Sequence, residues 1–185
     1  MNRIILASQS PRRKQLLEWA EIDFDVMVKE TDEHFPKDIA AEEAAVYIAK
    51  NKALAVQQIV PEKIILAADT IVVLDDEVIG KPVSDKHAFD ILSSLSGKTH
   101  RVITGVCILH EQKEVSFFDI TKVTFHYLSA DQINFYIHKY QPFDKAGAYA
   151  IQEWIGVVGI KNISGDFYNV MGLPVSKVVK ALKDF

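Results

Sequence analysis

The run 64-IILAADTIVVL-74 is apolar at almost every position and reads as a buried strand, yet it carries Asp69 and Thr70 at its centre. A carboxylate in such surroundings costs several kcal/mol to desolvate unless it is compensated. The fold therefore has to bring Asp69 to a partner, a metal ion or a mouth where the strand meets solvent. A structural Asp at a bulge or hairpin end would satisfy itself on backbone N–H groups. An Asp at a strand mouth suits a general base for water, or a hard oxygen ligand for Mg²⁺.

The segments around this strand alternate between strand-like and helix-like periods, with no repeat or low-complexity linker. Residues 4–7 suit a short buried strand. Ser10-Pro11 then supplies an N-cap followed by Pro at the first helical position, with Leu16, Leu17 and Ala20 as the apolar stripe. Residues 24–28 read as a second strand and 29-KETDEHFPKD-38 as a polar, acidic loop. A strong helix over 41–59 follows, its stripe running through Ala45, Ile48, Ala49, Ala53 and Val56, with Lys52 near its end. Asp75-Asp76 turns the central strand into a hairpin with 77-EVIG-80. A helix over 84–95 stops at Gly97, and a long hairpin spans 100–110 and 114–128. Ser129 and Gln132 form a capping box for a helix over 130–140. A Gly- and aromatic-rich stretch, 145–174, leads into a closing helix over 175–185. The expected class is α/β with a mixed, largely antiparallel central sheet.

Composition bounds the partners. At 185 residues and 49% hydrophobic positions the chain can bury a full core. The net charge of −4 argues against non-specific binding to nucleic acid or an anionic membrane, so any anion site must be local. Cys107 is the single cysteine, which excludes an intrachain disulfide and a CxxC metal knuckle and fits a reducing cytosol. It reads as strand filler. No charged n-region with an apolar core opens the chain and no apolar run approaches the roughly 18 residues of a membrane span. The expectation is a cytoplasmic protein.

Against that acidic background, 7-ASQSPRRK-14 concentrates cations where a strand becomes a helix. A helix N-terminus presents unpaired N–H groups and partial positive charge, and Ser8, Ser10, Arg12 and Arg13 would add hydroxyls and guanidinium forks for a phosphate. An ordinary Ser-Pro helix start with a solvated cationic face gives the same pattern. In 79-IGKP-82, Gly80 permits close backbone approach and Pro82 stiffens the exit, leaving Lys81 between them. Alone this is only a turn. Glu33 offers a second metal carboxylate or a solvated loop acid, and Lys52 an exposed helix cation or a phosphate ligand. The histidines show no HExxH-like spacing, and P-loop, GxGxxG and GxSxG patterns are absent. What remains is a set of dispersed cations (Arg12, Arg13, Lys52, Lys81) and acids (Glu33, Asp69). That balance suits metal-assisted attack on a polyphosphate. Spacing alone does not show that they converge.

Taken together, 7-ASQSPRR-13, 68-ADT-70, 80-GKP-82, 96-SGKTHRVITG-105, 145-KAGAYAIQ-152 and 165-GDFYNVMGLP-174 resemble the Maf family of nucleoside triphosphate pyrophosphatases, in family order over nearly the whole chain. The resemblance implies a fold similar to inosine triphosphate pyrophosphatases: one domain over 1–185, elongated, with two lobes around a central cleft, and a homodimer. It implies water attack at the α-phosphorus of a nucleoside triphosphate, giving the monophosphate and pyrophosphate, with Mg²⁺ or Mn²⁺ as cofactor. Carried over by motif, Asp69 becomes the general base and a metal ligand, while Ser8, Arg13 and Lys81 fall near the phosphates. Glu33 as metal ligand and Lys52 as phosphate ligand match positions less tightly fixed by motif.

Family branches differ at three positions. The branch associated with dTTP and UTP carries the residues found here as Arg12, Thr70 and Gln152. A branch associated with 7-methyl-GTP carries Trp, Gln and Glu. The Gln152 amide offers a donor and an acceptor to the O4/N3–H edge of uracil or thymine, and Arg12 would stiffen or charge the wall on the base side. The segment 153-EWIG-156 falls in a loop the family varies freely. A competing function, suggested by the family's link to septum formation and cell division, is a nucleotide-binding regulatory protein acting through a partner. A third, single-stranded nucleic-acid binding, is opposed by the net acidity and the lack of a basic stripe.

Overall fold

A computed structural model describes residues 3–36 and 38–185, so Lys37 of the acidic loop lies outside the described residues, as do the first two positions. The structure is α/β. Its sheet has the hydrogen-bonded order β2-β1-β3-β5-β6-β7, with β4 (Glu77–Ile79) paired to β3 (Ile65–Leu74). The described residues divide into two compact units, the first comprising those up to Thr70 with 104–119 and 172–185, the second 71–103 and 120–171.

In the first unit, β1 (Ile4–Leu6) pairs in parallel with β2 (Phe24–Val26) on one side and with β3 on the other. Parallel neighbours need crossovers. Helix α1 (Pro11–Trp19) lies between β1 and β2 in the chain, and α2 (Ala41–Gln57) between β2 and β3. The alanine stripe of α2 lets the helix lie close on the sheet, with Ala49, Ala53 and Val56 packed against Ile5, Ile65, Ala67, Cys107 and Leu109. The closest approach is at Gly105, where a Cβ would stand 2.2 Å from the Ala45 carbonyl carbon. Only glycine fits there. Burial pushes the Cys107 thiol up to about 11, consistent with a filler rather than a nucleophile. The unit also holds the tip of the hairpin of β5 (Thr99–His110) and β6 (Lys113–Phe125), antiparallel because two residues join them, and α7 (Val175–Leu182). On β6, Phe118 is exposed and Val115 and Phe117 are half-buried.

In the second unit, the end of β3 forms an antiparallel hairpin with β4, Val72 opposite Ile79, through Asp75-Asp76 at φ 50° and 65°. Short Asp side chains tolerate that conformation. Helix α3 (Asp85–Leu95) is capped by Ser84, whose hydroxyl accepts from the His87 N–H, and it packs on α4 (Ala130–Tyr140), where the Ser129/Gln132 capping box is complete. Val72, Val102 and Val123 form a core with Ile79, Ala146, Ile160 and Val170.

Three expectations change. Strand β6 ends at Phe125 and not Leu128, because the Leu128 N–H donates to Ser96 Oγ at 2.7 Å and draws the chain out of the ladder. The stretch 145–174 resolves into a 3-10 turn (Ala146–Ala148), α5 (Trp154–Gly159), β7 (Ile160–Ser164, antiparallel to β6) and α6 (Phe167–Met171). Gly80 is not a point of close approach: a Cβ there would meet nothing within 4 Å. Its carbonyl instead accepts from the Gly147 N–H at 3.2 Å. Among the described residues, no helix is long and apolar enough to cross a membrane.

Candidate active site

The opening serine-rich loop connects β1 to α1. Ser10 stands at the N-cap and Pro11 at the first helical position, but Ser10 makes no side-chain cap; its N–H donates to Ser8 Oγ at 3.3 Å. Ser8 is free to organise this turn because it is held from the other side. Arg13, one turn into α1 and only 9% exposed, donates to Ser8 Oγ at 3.0 Å, to Thr70 Oγ1 at 3.1 Å and to the Gly172 carbonyl at 2.8 Å. Three of its five N–H donors are thus committed and two remain. Burial lowers the pKa of Arg13, an effect opposed by the charge of Asp69. Gly172 has φ +114°, so glycine is required by the backbone there. The guanidinium of Arg13, read from sequence as one of a solvated or phosphate-facing pair, is therefore an internal hub, whereas Arg12 beside it is half-buried.

Successive residues of a strand face opposite sides of the sheet. Thr70 turns toward Arg13 and also bonds Thr104 Oγ1 at 2.9 Å. Asp69 meets α2, where Lys52 Nζ lies 2.6 Å from Asp69 Oδ1 and 2.7 Å from Glu33 Oε1. The partner demanded by a carboxylate in an apolar strand is thus the Lys52 ammonium, which also draws in the half-exposed loop acid Glu33. Ser8, Arg13 and Thr70 form one cluster, and Glu33, Lys52 and Asp69 a second, joined through the peptide between Asp69 and Thr70. Both belong to the first unit.

Lys81 and Gln152 lie in the second unit and both are exposed. Lys81 follows β4 in a loop tied to the 3-10 turn by the Gly80–Gly147 hydrogen bond. Gln152 sits on a turn before α5, and Trp154 packs edge-on against Phe135 at 4.8 Å.

No group of three or more His, Cys, Asp or Glu side chains suited to a metal occurs among the described residues. Two carboxylates gathered on one ammonium fit a hard cation that arrives with phosphate oxygens, the usual mode for Mg²⁺, rather than a dedicated protein cage.

A family model described as Maf-like protein matches residues 3–185. The chain belongs to that family. A relative from Cytophaga hutchinsonii, named dTTP/UTP pyrophosphatase, is 55% identical over 97% of this chain and 83% of its own length. One from Bacteroides thetaiotaomicron with the same name is 48% identical over 98% and 95%. A solved structure of a HAM1 protein from Coxiella burnetii shares the fold, with TM-score 0.54 and 16% identity over 100% of both chains.

The groups that complete these clusters, the Thr104 hydroxyl and the Gly172 carbonyl, were not singled out by sequence reasoning. Thr104 and Gly172 lie inside quoted motifs, but nothing local distinguishes them from a strand threonine and a loop glycine. Tyr136, Lys145 and Glu153 form a further polar network in the second unit. A lysine and a glutamate flanking 146-AGAYAIQ-152 were its only trace.

Proposed function

We propose that this Maf-family chain hydrolyses dTTP and UTP to the monophosphate and pyrophosphate. The observation that carries the proposal is the Lys52 ammonium held between the Glu33 and Asp69 carboxylates in the same unit as the Ser8–Arg13 cluster. The names of the relatives support the same substrates. On this reading, the half-buried Asp69 accepts a proton from water as the water oxygen bonds to the α-phosphorus and the bond to the pyrophosphate oxygen breaks. Ser8, the two uncommitted N–H groups of Arg13, Lys52 and Lys81 bind the phosphates. Glu33 and Asp69 would hold Mg²⁺ or Mn²⁺, which when bound supplies charge neutralisation at the phosphate oxygens.

Recognition of the base falls to Arg12, Thr70 and Gln152. The Thr70 hydroxyl already serves Arg13 and Thr104, so its part is to set Arg13, and the hydrogen-bonding edge of the base is left to Gln152. The reading includes a cytoplasmic location and a homodimer, for which sedimentation should give twice the mass of one chain. The deciding experiment incubates the purified protein with UTP and Mg²⁺ and follows UMP and pyrophosphate. Stoichiometric release that stops on chelation with EDTA is expected, and UDP with orthophosphate would refute attack at the α-phosphorus. Comparable turnover of 7-methyl-GTP and UTP would refute the assignment of the base.

A further inference from the structure

Gln152 is the exposed tip of a turn gripped from beneath. The Tyr136 hydroxyl, fully buried on α4, accepts from the Ala150 N–H at 3.1 Å and donates to Glu153 Oε2. One phenol therefore holds the residues on either side of 151–152. The other Glu153 oxygen lies 3.6 Å from Lys145 Nζ, and this ammonium, in a side chain buried to within 9% of full exclusion, is also 2.7 Å from Asp144 Oδ1. Backbone bonds tighten the turn, from Glu153 N–H to Ala150 O at 3.1 Å and from Gly156 N–H to Glu153 O at 2.9 Å. A Cβ on Gly156 would fall 1.7 Å from the Ile151 carbonyl oxygen, so α5 presses directly on the turn. Ile151 is buried and anchors it to the core. The only side chain of 150–153 left to project freely is Gln152.

Burying an ammonium and a carboxylate beneath a connecting loop is costly, and hydrophobic packing would hold such a loop as well. A polar relay of this kind is useful when an orientation has to be specified. The edges of uracil and cytosine are near mirror images in hydrogen bonding: uracil presents an acceptor at O4 and a donor at N3, cytosine a donor at N4 and an acceptor at N3. A primary amide carries both functions and rotates about its own terminal bond, so it follows either base unless its place and angle against the ring are fixed. Selectivity requires that the backbone carrying it be held to one presentation.

We propose that Tyr136, Glu153 and Lys145 are positioning residues that hold Gln152 for discrimination of uracil and thymine against cytosine. The proposal rests on the base-reading role given to Gln152 above. The test is steady-state kinetics with UTP and CTP on Tyr136→Phe, Glu153→Ala, Glu153→Gln and Gln152→Ala, with thermal unfolding followed in parallel. Tyr136→Phe and Glu153→Ala should lower the UTP:CTP ratio of kcat/KM about ten-fold, chiefly through a higher KM for UTP with kcat little changed. Glu153→Gln, which still accepts from Tyr136, should recover most of the loss. Tyr136→Phe combined with Gln152→Ala should fall no lower than Gln152→Ala alone, because both act through one amide. If Gln152→Ala lowers the ratio while folded Tyr136→Phe and Glu153→Ala retain it, the positioning role is overturned and base reading stands. If Gln152→Ala itself retains the ratio, base reading fails and the positioning role fails with it.

Discussion

Arg13 offers the sharpest test of how the first unit is held together. In Arg13→Met the long apolar stem is kept and the guanidinium is lost, so the Gly172 carbonyl and the Ser8 and Thr70 hydroxyls each lose a donor. The carbonyl belongs to a buried residue, and an abandoned buried acceptor costs about 1–3 kcal/mol. The two hydroxyls retain other partners, Ser10 N–H and Thr104, so each loses only the net worth of a hydrogen bond, about 1 kcal/mol. Removing a desolvated cation offsets part of this. The net expectation is about 3 kcal/mol of destabilisation, a fall in Tm of roughly 6–12 °C for a chain of this size. Arg13→Lys should recover less than half, since one ammonium cannot reach three acceptors in a fixed fork. Urea and thermal unfolding without nucleotide provide the assay, which separates this role from any contact with phosphate. A midpoint for Arg13→Met within 2 °C of the wild type, as read from about 1 kcal/mol or less, would refute the hub and leave Arg13 as a ligand contact alone.

Asp69→Asn should lower turnover of UTP by about two to four orders of magnitude while the fold is kept, because an amide cannot take the proton of water; near-normal kcat would remove Asp69 from that role. His100 is buried against Phe125 and Tyr149, its Nε2 2.7 Å from the Tyr149 hydroxyl, and burial depresses its pKa to about 4. The unfolded chain therefore binds the proton first, so stability falls as pH drops from about 6.5 toward 4, by roughly 3 kcal/mol from this residue. In His100→Gln, urea titrations between pH 7 and 4 should show a flatter profile; an unchanged slope would disprove the assignment. Gly105→Ala forces a methyl into the Ala45 backbone and should cost about 3 kcal/mol or more, whereas Gly80→Ala, with open space around it, should stay within about 0.5 kcal/mol. Equal losses at the two glycines in thermal melts would contradict the packing described.

What could be read in the sequence divides by the range of the interaction that decides it. The Ser129/Gln132 box, the Asp75-Asp76 turn and the Ser10-Pro11 helix start are decided within a few residues, and each stands where its pattern put it. The segment 145–174 is different: α5 and α6 are too short to show a helical period, and β7 exists because β6 is there to pair with it. The site shows the same division within a single strand. That Asp69 needed compensation followed from the apolar run around it. Which groups would supply it did not, since Arg13 reaches Thr70 across 57 positions and Gly172 across 159. Lys52 had no local mark at all, being one more cation on a helix surface. Yet its place follows from the first observation once the fold is known, because the strand that buries Asp69 lies under α2, and a lysine stem is the element of α2 long enough to bring a charge to it. The consequence is electrostatic. Glu33 and Asp69 are balanced by Lys52 and the nearby Arg13, so on the function proposed above Lys52 would meet the phosphates, and Glu33 and Asp69 would hold the divalent cation that neutralises them, without leaving an uncompensated charge in the strand.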